Sequence, residues 1–221
     1  MPKSPEAASA GPTEASAAPR RRQARGERRV AQLLEAAAGV FCRNGYAAAS
    51  TNAIAREAGV SPGTLYQFFP NKEAIAVQLG DTLLHKAYET HGQAFQPENL
   101  QLPLPRMLDA VIDPVIAFQC ENPALWALMH GSGIPGHIDA EHKAFHETLQ
   151  LRVEGALSTF APDLTPAERA RTANMVLSIF KSALDLILTT EGDERAAYIA
   201  ELKTVLLRYL EPLVTVHPAT S

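Results

Sequence analysis

From Val30 onward the apolar residues of this chain recur every three or four positions and nowhere alternate one in two. That spacing lines one face of a helix, whereas a half-buried strand needs alternation bounded by turn residues. An all-α fold follows, and sheet architectures are excluded. Val30, Leu33, Leu34, Ala37 and Phe41 make the first stripe; Asn44-Gly45 ends it, with Gly45 suited to the left-handed position past a helix end. Ser50-Thr51 opens a second helix, closed by Gly59. Ser61-Pro62 opens a third, with Ser as cap and Pro at the first helical position, where its missing N–H costs nothing. This one stops before Pro70, and Asn71 caps a fourth over about 72–95. The segment 96–104 has two prolines and no period, so it is expected to be a linker. Further helices are expected over about 105–122, kinked or broken at Pro114, then 123–130, 139–160, 165–192 and 193–210.

Three regions are expected: a disordered, basic-ended tail over 1–26, a short-helix unit over 27–71, and a larger helical domain over 72–216, joined by helix 72–95. Residues 1–19 are Ala/Pro/Ser-rich, and 20–29 form an arginine-rich arm that is either a flexible phosphate-seeking tail or the frayed start of a helix. The net charge of −4 hides an asymmetry. Residues 1–72 hold ten Lys/Arg and five acids, leaving −9 on residues 73–221. A basic front suits a polyanionic partner, and the arm is read as touching phosphate or a neighbouring minor groove.

Other classes fit poorly. Two cysteines far apart are no disulfide framework, no secretory signal is visible, and a cytoplasmic location is expected. The most apolar stretch, 175–188, is interrupted by Lys181 and Asp185 and falls short of the ~20 residues of a span, so no membrane partner is expected. His142 and His146 stand at i, i+4, but no second ligand motif accompanies them, so neither metal nor cofactor is expected. Gly131-Ser132-Gly133 is no nucleophile elbow, and no enzyme is expected.

The informative stretch runs from Thr51 to Glu73. Two short helices meet at Ala58-Gly59-Val60-Ser61; Ala55 and Ala58 allow a close crossing, and Ile54, Val60 and Leu65 fill the space between. This is helix-turn-helix geometry, in which the second helix enters a major groove N-terminus first. Its first turn, Ser61-Pro62-Gly63-Thr64, is small and polar, and Tyr66, Gln67 and Lys72 follow with hydrogen-bonding tips.

Thr51, Ile54-Ala55, Ala58-Gly59-Val60-Ser61, Gly63-Thr64-Leu65-Tyr66, Phe69 and Lys72-Glu73 together resemble the tetracycline-repressor (TetR) family of bacterial regulators, over about residues 28–80. The resemblance implies that Thr51, Thr64, Tyr66 and Lys72 meet the DNA backbone. Ser61, Pro62, Gly63 and Gln67 then face base edges, where Gln67 suits adenine. It also implies a homodimer on a double-stranded operator and a C-terminal domain that binds a small apolar or aromatic effector. Pocket candidates are Phe118, Trp126, Met129, His130 and Phe145. Dimer-interface candidates are Val176, Ile179, Phe180, Ala183 and Ile187 on one helix, with Leu202, Val205, Leu206 and Tyr209 on the next. The expected function is a repressor released by its effector. The alternatives are an activator, or a sensor or interaction module of the same fold without DNA affinity.

Overall fold

The computed structural model describes residues 17–214. Among the described residues there are ten α-helices and no strand. They are α1 (Ala17–Ala48), α2 (Thr51–Glu57), α3 (Pro62–Tyr66), α4 (Lys72–Ala94), α5 (Pro97–Leu100), α6 (Leu104–Glu121), α7 (Pro123–His130), α8 (Gly136–Phe160), α9 (Pro166–Thr189) and α10 (Gly192–Leu210). A single 3-10 turn, Glu211–Leu213, follows.

Local chemistry sets the boundaries. Ser50, Ser61 and Asn71 each accept the backbone N–H three residues on, capping α2, α3 and α4. Thr165 and Glu168 form a reciprocal capping box at the start of α9. Gly45 (φ 71°) interrupts α1, and Gly59 (φ 63°) makes the turn between α2 and α3. Only glycine adopts that conformation without strain.

Several boundaries differ from the sequence expectation. The helix α1 begins at Ala17 rather than near residue 27, so 17–26 continue it instead of closing a disordered tail. Ala, Arg and Gln are good helix formers, and Gln23 Nε2 donates to Glu27 Oε1 at 3.1 Å along the helix. The tail over 1–16 lies outside the described residues. A short helix, α5, occupies the expected linker. The helix α6 passes through Pro114 unbroken, with that ring on its exposed side.

Two hydrophobic clusters hold the chain. The first joins α1, α2 and α3 to α4, α7 and the first half of α8, with Leu33, Phe41, Ile54, Leu65, Ile75 and Leu128 fully buried. The second joins α6 and the second half of α8 to α9 and α10. The core therefore does not divide near residue 71, where the sequence placed a domain boundary. Instead α7 lies directly against α1. Lys203 Nζ, 2.8 Å from Asp109 and 2.6 Å from Asp113, ties α10 to α6.

By length and composition α9 could cross a membrane, and it exceeds the 175–188 stretch judged from sequence. In the fold it packs against α8 and α10 as an amphipathic helix, with Met175 and Leu186 exposed on the other side.

Candidate nucleic-acid interface and effector cavities

The short helix α3 is anchored by Leu65 and Phe69, both buried, and this turns its other side outward. Ser61, Pro62, Gly63, Tyr66 and Gln67 are all exposed, while Thr51, Thr64 and Lys72 are half-buried at the same surface. Tyr66 is 52% exposed, so it is no core aromatic. Its hydroxyl lies 2.9 Å from Thr51 Oγ1, joining α3 to the start of α2. One proton serves that hydrogen bond, so one O–H of the pair stays free to donate to a phosphate oxygen. Ser61 Oγ accepts from the Thr64 N–H at 3.1 Å and lies 2.9 Å from Thr64 Oγ1. Ser61 is thus both a cap and part of the exposed polar surface.

Lys72 is more committed than the sequence suggested. Its ammonium donates to the carbonyls of Tyr46 (2.8 Å) and Ala47 (3.1 Å) and sits 4.4 Å from the Tyr46 ring centre. Two of its three donors are spent on the end of α1, and one is left for a ligand oxygen. The turn between α2 and α3 is braced from α1 by Gln32 Nε2, which donates to the Ala58 carbonyl at 2.6 Å. Arg43 and Glu57, 2.8 Å apart, link α1 to α2. Arg25 and Arg28 lie exposed on α1.

Two cavities open in the C-terminal half. The larger, of about 110 Å³, is walled by apolar side chains of α6, α8, α9 and α10, with His91 the sole polar residue on its wall among the described residues. The smaller, of about 60 Å³, is lined by Trp126, Met129 and His130 of α7, His142, Phe145 and His146 of α8, Gln119 of α6 and Lys181 of α9. The two share His91, Val115, Leu149, Leu177 and Phe180. Four of the five pocket candidates therefore meet at the smaller cavity. Phe118 does not: it is buried in the core that holds α7 and α4. The larger cavity escaped the sequence reading.

Residues 33–79 match the family described as bacterial regulatory proteins, tetR family, and residues 103–210 match the tetracyclin repressor-like C-terminal domain. The chain belongs to the TetR family. A Bacillus subtilis fatty acid metabolism regulator protein is 44% identical over 48 residues, which is 22% of this chain and 25% of that one. An uncharacterized HTH-type transcriptional regulator of Mycobacterium tuberculosis is 26% identical over 186 residues, 83% of this chain and 84% of its own. The overlap with the Bacillus protein thus spans a quarter of its length; that with the mycobacterial one spans most of it. Among solved structures, a TetR-like regulator from Rhodococcus sp. RHA1 superposes with a TM-score of 0.68 at 18% identity, covering 83% of this chain and 96% of that one. A TetR-family regulator from Bordetella parapertussis gives 0.67 at 18% identity, covering 82% and 94%.

A TetR-family chain with this fold is a DNA-binding helix-turn-helix regulator. The side chains expected at its dimer interface fall into two groups. Ile187, Leu202 and Leu206 are buried inside their own subunit, and Val176, Phe180 and Leu206 line the larger cavity. All five face inward because α9 and α10 have wide apolar arcs, and the inner part of each arc belongs to the core. Ile179, Ala183 and Tyr209 are half-buried and Val205 is exposed, so these remain available to a second subunit. Met175 and Leu186, missed as candidates, continue the same outer stripe at i, i+4, i+8 and i+11 with Ile179 and Ala183.

Proposed function

We propose that this chain is a homodimeric repressor of transcription in the cytoplasm. It holds a pseudo-palindromic operator until a small molecule enters the cavities of its C-terminal half. The observation that carries this reading is the outward face of α3, where Tyr66 is half exposed and hydrogen-bonded to Thr51. Two such helices, one per subunit, must reach successive major grooves about 34 Å apart or a multiple of that. The apolar outer stripe of α9 and α10 supports pairing through Met175, Ile179, Ala183, Leu186 and Val205.

The packing supports a route for release. The helix α7 presents Trp126 and His130 to the smaller cavity and buries Ala124 and Leu128 in the core that contains α1. A ligand that displaces α7 displaces the helix on which α2 and α3 rest. Its effect on operator affinity is bounded by its differential affinity for the two arrangements.

The test is operator selection from a random duplex library, followed by affinity measurement with the Tyr66→Ala variant. The variant keeps the wild-type melting temperature and loses at least tenfold in affinity. Unchanged affinity in a normally helical variant removes α3 from the DNA.

A further inference from the structure

The smaller cavity has an unusual wall. Among the described residues, Lys181 is its one permanent charge, four histidines line it, and no carboxylate does. Three of those histidines form a continuous ring chain: His130 stacks on Trp126 with centres 3.7 Å apart, His142 follows at 5.2 Å and His146 at 4.5 Å. His142 Nε2 and His146 Nε2 are 2.9 Å apart, so a single proton is shared between them. His130 Nδ1 lies 3.3 Å from the Trp126 carbonyl, which fixes the proton there and turns a bare Nε2 outward. Two further polar atoms on this wall, His91 Nδ1 and Gln119 Oε1, belong to side chains only 5% and 7% exposed and have no hydrogen-bond partner. Buried polar atoms are paired as a rule, so this wall is made for polar contents, water included, and not for hydrocarbon alone.

The neighbouring cavity asks for the opposite chemistry. It offers hydrocarbon on every side except at His91, which both cavities share. A cation is disfavoured at the polar end by Lys181, and the nearby acids, Asp185 and Asp139, are not among the lining residues. Among the described residues, no group of three or more His, Cys, Asp or Glu is arranged to hold a metal ion. A neutral alcohol would forgo the attraction that the Lys181 ammonium offers an anion.

We propose that the effector is a small apolar monocarboxylic acid, its head held by Lys181 with His130, His142 and His146, and its hydrocarbon body running past His91 and Phe180 into the apolar cavity. This rests on the reading of these cavities as the effector site. Together the cavities slightly exceed the ~150 Å³ of an apolar void that takes up benzene, which leaves room for a body of at least about six carbons. The imidazoles sit below their usual range, through burial first and then through Lys181 and one another; His142 is pushed down to about 4. The groups facing them are Lys181, Asp185 and Asp139 at one end, and His91 beside Arg152 at the other. A carboxylate raises the proton affinity of such a cluster, so the acid enters with a proton that passes from solvent to an imidazole.

The test is calorimetric titration of the full-length protein with octanoate, 1-octanol and octylamine at pH 7.5, in two buffers of different ionisation enthalpy. Octanoate binds with uptake of a proton, octanol binds at least tenfold more weakly, and octylamine does not bind. Hexanoate falls below octanoate by about fourfold per methylene removed. Lys181→Met, at an exposed position, weakens octanoate tenfold or more and leaves octanol unchanged; His146→Gln abolishes the proton uptake. Octanol binding as tightly as octanoate overturns the head-group assignment and leaves the cavities as an effector site. If none of the three binds, both readings fall together.

Discussion

The two ends of this molecule are built by different rules. At the DNA-binding end, the contacts that shape the surface itself join residues of the same or neighbouring helices, Ser61 with Thr64, Thr51 with Tyr66 and Asn71 with Ala74, while Lys72 and Gln32 tie it to α1 across 26 positions. In the C-terminal half, the cavities lie where α4, α6, α7, α8, α9 and α10 converge, and His91 and Phe180 share a wall although 89 positions separate them. A surface made by local caps and turns is specified residue by residue. A void is specified by what several distant helices fail to fill, and no single segment encodes it.

Substitutions on α10 test this contrast most severely. Leu206, 1% exposed, faces its own core and the larger cavity, whereas Val205 beside it is 45% exposed. Leu206→Glu buries an unpaired carboxylate and costs about 4 kcal/mol or more, a large share of the ~5–15 kcal/mol that holds such a chain folded. Its thermal transition falls sharply or disappears. Val205→Glu keeps the transition and yields monomers in sedimentation. If Leu206→Glu gives folded monomers, the inward assignment of α10 is wrong.

Acid exposes the second difference. His91 is pushed down to about 4, by burial first and the Arg152 charge second. The unfolded chain takes up that proton near pH 6.5 and the folded one only near 4, so between these values the unfolded state holds more protons and stability falls as the pH is lowered. The loss reaches about 3 kcal/mol once the pH is below both values. His91→Leu removes this component, and its melting temperature declines less between pH 6.5 and 4.5 than that of the wild type. An equal decline in both proteins moves the acid sensitivity to another group.

The smallest effect is expected at the other end. Lys72 has one donor left beyond its two backbone partners, so Lys72→Met removes at most one phosphate contact from each subunit. With two subunits on the operator, the slope of log affinity against log salt becomes shallower by about 1.8, while operator preference is unchanged. A slope that does not move makes Lys72 purely a clasp for the end of α1.

These contrasts explain what could be read in advance. The helices, their caps and the polar face of α3 were legible because Ser, Asn, Gly and Pro act within a few residues of where they stand. The interface stripe was half legible: the period on α9 and α10 gave two wide arcs, but period alone cannot divide an arc between a subunit's own core and a partner. Phe118 was misjudged because a buried aromatic on α6 has the same spacing whether it meets a void or joins the hydrophobic core. His91 was passed over although the sequence carries a signal, a polar residue in the inner row Ala87, His91, Ala94 of α4. The helical start at Ala17 was hidden by the low-complexity run that leads into it.

The hydrophobic cluster that runs from α1 through α4 and α7 into α8 has an engineering consequence. Exchange of DNA-reading heads between relatives at residue 71 would cut across side chains that interlock, and would leave Leu128 and Ala124 against a foreign α1. A chimera that retains its receptor's response must carry α7 with the head, or re-match the seam between α1 and α7 side chain by side chain.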